Sequence, residues 1–78
     1  MSGVDEDKLR AAVLAALRIP AERYQPDLKL GDLEEWDSLG HLELISQLES
    51  TFGVTFNLED IPQLDSLAAI RMRLREPR

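Results

Sequence analysis

The sequence contains no cysteine and only one histidine among its 78 residues. The absence of cysteine excludes disulfide bonds, thiolate metal ligands and a thiol nucleophile. A single histidine also argues against a zinc site, because tetrahedral zinc sites take three or four strong protein ligands. We therefore expect no metal centre, and any thiol chemistry in which this chain takes part has to come from outside its own side chains.

Long apolar runs are also missing from the chain. No stretch approaches the roughly 18 apolar residues of a membrane-spanning helix, and the acidic N-terminus does not resemble a secretory signal. The apolar content of 44% is that of a folded globular chain rather than a disordered one. We expect a single domain over residues 1–78, located in the cytoplasm, monomeric and without membrane association.

Basic residues are scarce in the middle of the chain. Residues 27–65 carry ten acidic side chains against Lys29 alone, and the formal net charge of the whole sequence is −6. So acidic a body disfavours nucleic acid as a partner and favours basic protein surfaces. The simpler interpretation of many of these acids is that they keep a small domain in solution.

Two long segments have the three- and four-residue spacing of apolar side chains that is typical of an amphipathic helix. The first is predicted from about Asp5 to Arg18, and Pro20 ends it because the residue before a proline is pushed out of the α region. The second is predicted from about Ser38 to Phe52, and Gly53 is a natural stop because glycine enters the left-handed conformation readily. The apolar stripe of the second helix is Leu39, Leu42, Ile45, Leu48 and Phe52.

The connection between these helices, residues 19–37, has no sustained periodicity. A structureless loop of this length is unusual in a small domain. Its spaced apolar residues therefore predict that it crosses the bundle and is anchored in the core. Residues Leu30–Leu33 can form one short helical turn within it.

The C-terminal part of the chain predicts two further helical elements. Asn57 is expected to cap a brief turn over Leu58–Ile61, which Pro62 ends. The last helix begins at Asp65 or Ser66, and its basic residues are expected to complement the helix dipole: Arg71, Arg73 and Arg75. Together these elements predict an all-α fold, a small four-helix bundle with three main helices, one short helix and a long loop between helices 1 and 2.

A serine lies at the start of the most regular of these helices, in the stretch Trp36-Asp37-Ser38-Leu39-Gly40-His41. Either Asp37 or Ser38 can cap the helix by accepting a hydrogen bond from a backbone N–H of the first turn. The hydroxyl lies where the helix dipole and the unpaired N–H groups favour a negative group.

With these features the chain resembles the acyl and peptidyl carrier proteins, the family that bears a 4′-phosphopantetheine arm. The residues that carry the resemblance are Asp37-Ser38-Leu39, the helix Leu42–Glu49, Phe52-Gly53-Val54, Asp32-Leu33 and the turn Leu58–Ile61. The tripeptide Asp-Ser-Leu alone is common by chance. Its position in mid-chain, after a long loop and before an acidic amphipathic helix, makes the resemblance specific over about residues 5–75.

The resemblance implies that Ser38 is the attachment serine for an arm that a phosphopantetheinyl transferase takes from coenzyme A. The distal thiol then carries acyl or aminoacyl groups as thioesters between loading and processing enzymes, and the protein itself is not an enzyme. By resemblance, Asp37 and Leu39 belong to the cofactor-binding site. Leu39, Glu43 and Glu49 are implied to dock against basic surfaces of partner enzymes; the alternative for the two glutamates is an ordinary solvated face.

In fatty-acid carriers an acidic residue usually follows Asp-Ser-Leu, whereas this chain has Gly40-His41 there. Trp36, directly before the motif, is also different. In both respects the chain is more similar to discrete carriers of polyketide, nonribosomal peptide or related pathways. Glycine in a first helical turn costs up to ~1 kcal/mol relative to alanine, so either a neighbour approaches closely at Gly40 or the residue has drifted at an exposed site. His41 is expected to be solvated, with contact to the phosphate as the alternative, and Leu42 is expected in the core.

Two competing interpretations remain. The tripeptide recurs at Asp65-Ser66-Leu67, but a helix cap is enough to explain that copy, so Ser38 is the favoured attachment residue. A serine hydrolase is excluded, because the nucleophile elbow requires glycine at the position that Trp36 occupies.

The alternative function is an acidic helical adaptor without a prosthetic group, which would have no use for the Ser38 hydroxyl beyond capping.

Overall fold

The computed structural model describes residues 4–75, and this part of the chain forms three α-helices and two short 3₁₀ helices. Helix α1 spans Glu6–Leu17, α2 spans Ser38–Phe52 and α3 spans Leu67–Arg75. The first 3₁₀ helix spans Ala21–Arg23 and the second spans Leu58–Gln63. The prediction of a small all-α fold with a long loop between helices 1 and 2 is confirmed. Within residues 4–75, no helix is both long and apolar enough to cross a bilayer.

The ends of α1 and α2 are determined by local capping, as the sequence predicted. The Lys8 N–H donates to the Asp5 carboxylate over 3.2 Å at the start of α1. Arg18 closes α1 with a left-handed φ of 57°, and Gly53 closes α2 with a φ of 67°. These caps pair backbone groups that helix ends otherwise leave unsatisfied, so both boundaries fall within one residue of the prediction.

One hydrophobic core joins the three α-helices and the connection between α1 and α2. Helices α1 and α2 pack most closely against each other. The largest fully buried side chains are Leu9, Val13, Trp36, Leu44, Leu48, Leu67 and Ile70. A single contiguous core of this kind explains why a chain of this length folds without disulfide bonds.

The long connection is anchored to the core, as its apolar spacing predicted. Three of its side chains, Ile19, Leu28 and Trp36, are buried in the core. An antiparallel bridge also ties it to the start of α3: the Leu30 N–H donates to the Asp65 carbonyl oxygen over 2.9 Å, and the Leu67 N–H donates to the Leu28 carbonyl oxygen over 3.0 Å. The connection therefore crosses the bundle and places Trp36 directly before α2.

The predicted helical turn at Leu30–Leu33 is wrong. The Asp32 N–H donates to the Lys29 carbonyl oxygen over 2.9 Å and closes a tight turn instead, while the Asp32 carboxylate accepts from the Lys29 N–H. Gly31 takes a left-handed φ of 95°, which a right-handed helix does not contain. The bridge from this segment to α3 holds the backbone extended on one side of the turn.

Pro62 does not end the second 3₁₀ helix, contrary to the sequence prediction. The helix continues through Pro62 to Gln63, and the Leu64 N–H donates to the Ile61 carbonyl oxygen over 3.2 Å at its end. The φ angle that the proline ring imposes is close to that of a 3₁₀ helix, so only one N–H donor is lost. At the start, the Asn57 N–H donates to the Asp60 carboxylate over 3.1 Å.

Arg71 of α3 makes tertiary contacts that the sequence did not predict. The Arg71 guanidinium donates to the Glu6 carboxylate at 2.9 Å, to the Pro26 carbonyl oxygen at 2.8 Å and to the Tyr24 hydroxyl at 3.4 Å. The hydrogen-bonded Glu6 raises the pKa of Arg71 above its usual value, and burial raises the pKa of Tyr24. Arg71 therefore ties α3 to α1 and to the long connection.

Replacing Arg71 by glutamine is expected to lower the free energy of unfolding by about 1–2 kcal/mol, because the variant loses the charged hydrogen bonds to Glu6 and the tie to Pro26. The matched control is Arg75→Gln, on the exposed end of the same helix, which is expected to change stability by less than about 0.5 kcal/mol. Urea unfolding followed by circular dichroism measures both. Equal stability of the two variants would contradict the structural role of Arg71.

Candidate functional site

Ser38 is the first residue of α2, and its side chain is exposed. The cap of the helix is its neighbour Asp37, whose carboxylate accepts the Gly40 N–H over 2.9 Å. The Asp37 carbonyl oxygen also accepts the His41 N–H over 2.8 Å. Of the two cap residues that the sequence allowed, the structure therefore selects Asp37, and the helix does not need the Ser38 hydroxyl for capping.

The first turn of α2 is suited to a negatively charged group on the Ser38 oxygen. The N–H groups of Ser38 and Leu39 precede the first intrahelical donor, the His41 N–H, and therefore have no acceptor within the helix. The positive end of the helix dipole lies at the same place. A phosphate ester on Ser38 would meet these N–H groups and solvent, so the residues present fit a phosphate-linked arm.

Gly40 lies where the backbone before the helix approaches it closely. Gly40 is buried, and an added Cβ would overlap the Glu35 carbonyl oxygen and come within 3.2 Å of the Leu17 side chain. Of the two explanations left open by the sequence, close approach is confirmed and drift at an exposed site is wrong. The glycine allows the end of the connection and α1 to pack against the first turn of α2.

His41 is buried inside the protein, so both expectations from the sequence, a solvated side chain and a phosphate contact, are wrong. The Trp36 indole N–H donates to His41 Nδ1 over 3.0 Å, and the two rings lie edge to edge, 26° from coplanar, with centroids 6.2 Å apart. Because Nδ1 accepts, the ring proton is on Nε2, which donates to the Ile61 carbonyl oxygen over 2.8 Å. His41 thus links the connection, α2 and the second 3₁₀ helix.

The buried face of α2 explains the error for His41 and a second one for Leu42. The buried residues of α2 are Gly40, His41, Leu44, Ile45 and Leu48. Leu42, expected in the core, is 55% exposed, and Leu39 is 66% exposed. A face through His41, Leu44 and Leu48 has the same helical spacing as the predicted stripe, so periodicity alone is compatible with either face.

The two glutamates of the predicted docking surface differ in their surroundings. The Glu49 carboxylate accepts the Phe56 N–H over 2.9 Å and holds the segment that follows α2. Glu43 is half-buried in the same helix, one residue after the exposed Leu42. Glu49 therefore has a structural role, and docking stays a prediction for both residues.

The second Asp-Ser-Leu tripeptide contains a capping serine. The Ser66 hydroxyl accepts the Ala69 N–H over 3.0 Å, and its side chain is half-buried at the start of α3. The helix-cap explanation for this copy is confirmed. The two serines therefore differ in a way that the tripeptide does not reveal. The Ser66 hydroxyl caps α3, whereas α2 is capped by Asp37 and does not need the Ser38 hydroxyl.

A family model matches most of the chain. Residues 7–74 match the family model described as the phosphopantetheine attachment site. This range contains all three α-helices except the first residue of α1 and the last of α3. No curated protein matches the chain at a significant level.

Replacing Gly40 by alanine is expected to lower the free energy of unfolding by about 1–3 kcal/mol, because the added methyl group overlaps the Glu35 carbonyl oxygen. Helix propensity alone predicts the opposite sign, a gain of up to ~1 kcal/mol. The control Ser46→Ala lies at an exposed position of the same helix and is expected to be neutral or slightly stabilising. Thermal unfolding that leaves Gly40→Ala as stable as wild type would refute the close approach.

Proposed function

Since the chain belongs to the phosphopantetheine-binding family of carrier proteins, we propose that it carries its intermediates on an arm attached to Ser38. Members of this family are non-catalytic carriers, and the domain is the site of covalent 4′-phosphopantetheine attachment. The cargo we propose is an acyl or aminoacyl group held as a thioester. The protein carries this cargo between loading and processing enzymes of a polyketide, nonribosomal peptide or related pathway.

The observation that supports Ser38 as the attachment residue is the position of its hydroxyl. Ser38 is exposed at the start of α2, and Asp37 provides the cap. The competing Ser66 uses its hydroxyl to cap α3. A transferase would have to disrupt that cap to modify Ser66, whereas modification of the Ser38 oxygen breaks no hydrogen bond among residues 4–75.

The attachment step uses the Ser38 oxygen as the nucleophile. A bond would form between this oxygen and the phosphorus that bears the pantetheine portion of coenzyme A. The P–O bond of the pyrophosphate would break, and adenosine 3′,5′-bisphosphate would leave with the bridging oxygen. The hydroxyl proton passes to a base of the transferase. The attached arm supplies the thiol that this cysteine-free chain lacks.

We further propose a docking surface formed by Leu39, Leu42 and Glu43. The two leucines are more than half exposed and flank the first turns of α2 beside Ser38. Exposed apolar side chains next to acidic ones suit a partner with an apolar contact surrounded by basic residues. Glu49 belongs to this surface only through the carboxylate oxygen that Phe56 does not use.

Incubation with coenzyme A and a broad-specificity phosphopantetheinyl transferase is expected to add the mass of one phosphopantetheine to the wild-type protein. Ser38→Ala is expected to abolish the addition while leaving the fold intact, because Asp37 still caps α2. Ser66→Ala is the matched control: it keeps the addition and loses about 0.5–2 kcal/mol of stability with its cap. Intact mass and peptide mapping read out all three proteins.

Two results of this labelling experiment would change the conclusion. Labelling at Ser66 in place of Ser38 would overturn the site assignment but keep the carrier function. No labelling of wild type by several transferases would favour the acidic adaptor without a prosthetic group.

Charge reversal in the docking surface is expected to weaken partner binding. Glu43→Lys should raise the KM of the transferase about fivefold at low salt, with a smaller effect at high salt because screening already weakens the contact. Glu22→Lys, an equal charge change in the exposed first 3₁₀ helix, is the control and should leave KM unchanged. An equal rise for both variants would point to net charge and away from a local docking surface.

A further inference from the structure

The pair Trp36 and His41 occupies two special positions around Ser38. With Asp37 as the cap, Trp36 is the residue before the cap and His41 is the fourth residue of α2. An apolar pair at these positions often fixes the angle at which the chain runs into a helix. Here the pair is buried and is joined by a 3.0 Å hydrogen bond from the indole N–H to His41 Nδ1. Ser38 lies inside the segment that this bond closes.

The other nitrogen of the same ring extends the connection to a third element. His41 Nε2 donates to the Ile61 carbonyl oxygen over 2.8 Å, and Ile61 lies in the second 3₁₀ helix. That helix carries Leu58, which is 84% exposed and the most exposed large apolar side chain among residues 4–75. One imidazole therefore holds the start of α2 in a defined relation to a second exposed apolar position.

We infer that His41 is a positioning residue for the loading of Ser38, acting through its two separate hydrogen bonds. The bond to Trp36 fixes the first turn of α2 and thereby the direction of the Ser38 hydroxyl. The bond to Ile61 fixes the second 3₁₀ helix relative to that hydroxyl, so that a transferase contacting both elements meets a preformed surface. This inference rests on the proposed role of Ser38.

The two bonds can be removed one at a time, because amide side chains reproduce one imidazole nitrogen each. His41→Asn places an oxygen near the Nδ1 position, so it keeps an acceptor for Trp36 and loses the Ile61 bond. His41→Gln places an N–H donor near the Nε2 position, so it keeps the Ile61 bond and loses the Trp36 bond. Trp36→Phe removes the same Trp36 bond from the other side and keeps a buried aromatic ring.

Phosphopantetheine transfer to Ser38 is measured as kcat and KM for each variant, at a temperature at which circular dichroism shows all of them folded. Loss of the Trp36 bond, in His41→Gln and in Trp36→Phe, is expected to lower kcat about fivefold with KM within about twofold. Loss of the Ile61 bond, in His41→Asn, is expected to raise KM about fivefold with kcat within about twofold. The double variant with Trp36→Phe and His41→Gln should lose no more kcat than either single variant.

Two controls separate positioning from general stability. Ser46→Asn and Ser46→Gln introduce the same amides at an exposed site of α2 and should leave kcat and KM unchanged. The chain has one tryptophan, so its indole N–H gives a single nitrogen-15 NMR signal that reports the Trp36 bond directly. This signal should keep its shift in His41→Asn and move upfield in His41→Gln.

The outcomes distinguish this inference from the proposed function. Failure to label wild-type Ser38 would overturn the proposed function itself. Normal labelling of wild type, together with unchanged kcat and KM in folded variants whose indole signal has moved, would overturn the positioning role alone. A parallel loss of kcat in all three single variants that tracks only their melting temperatures would also overturn it.

Discussion

The hydrogen bond between the buried indole of Trp36 and the imidazole of His41 holds together the segment around Ser38, the proposed attachment residue. An indole N–H in an apolar core costs about 1–3 kcal/mol if it has no acceptor. His41 Nδ1 supplies that acceptor, and its other nitrogen satisfies the Ile61 carbonyl oxygen. A polar ring can therefore lie on the buried face of α2, and it connects three elements that apolar packing alone would orient less specifically.

The other polar side chains of the domain have separate structural roles. Asp37 caps α2, Ser66 caps α3, and Glu49 holds the backbone after α2. Gly40 provides the space for the preceding backbone. Among residues 4–75 the Ser38 hydroxyl makes no hydrogen bond with the protein, which supports its proposed modification.

The basic residues of α3 and the acidic residues of segment 27–65 also differ in their roles. Arg71 and Arg73 pair with Glu6 and with Asp60, so basic groups of α3 are used within the protein. The Arg73 guanidinium also lies 5.5 Å above the Phe56 ring. Most acidic residues of the middle segment have no such basic partner in the same stretch of sequence, since Lys29 is its only base. A surface of this kind attracts basic partners weakly and releases them readily, which suits a carrier that visits several enzymes.

Local signals in the sequence determined the bounds of α1 and α2, the capping role of Ser66 and the resemblance carried by Ser38, because caps, prolines and periodicity act over a few residues. Only the tertiary structure decided how α2 is rotated about its axis. The stripe through Leu39 and Leu42 and the face through His41 and Leu44 have similar spacing, and local rules do not choose between them. The choice was made by the distant acceptor at Ile61 together with the buried indole of Trp36, whose N–H needs the acceptor that His41 supplies.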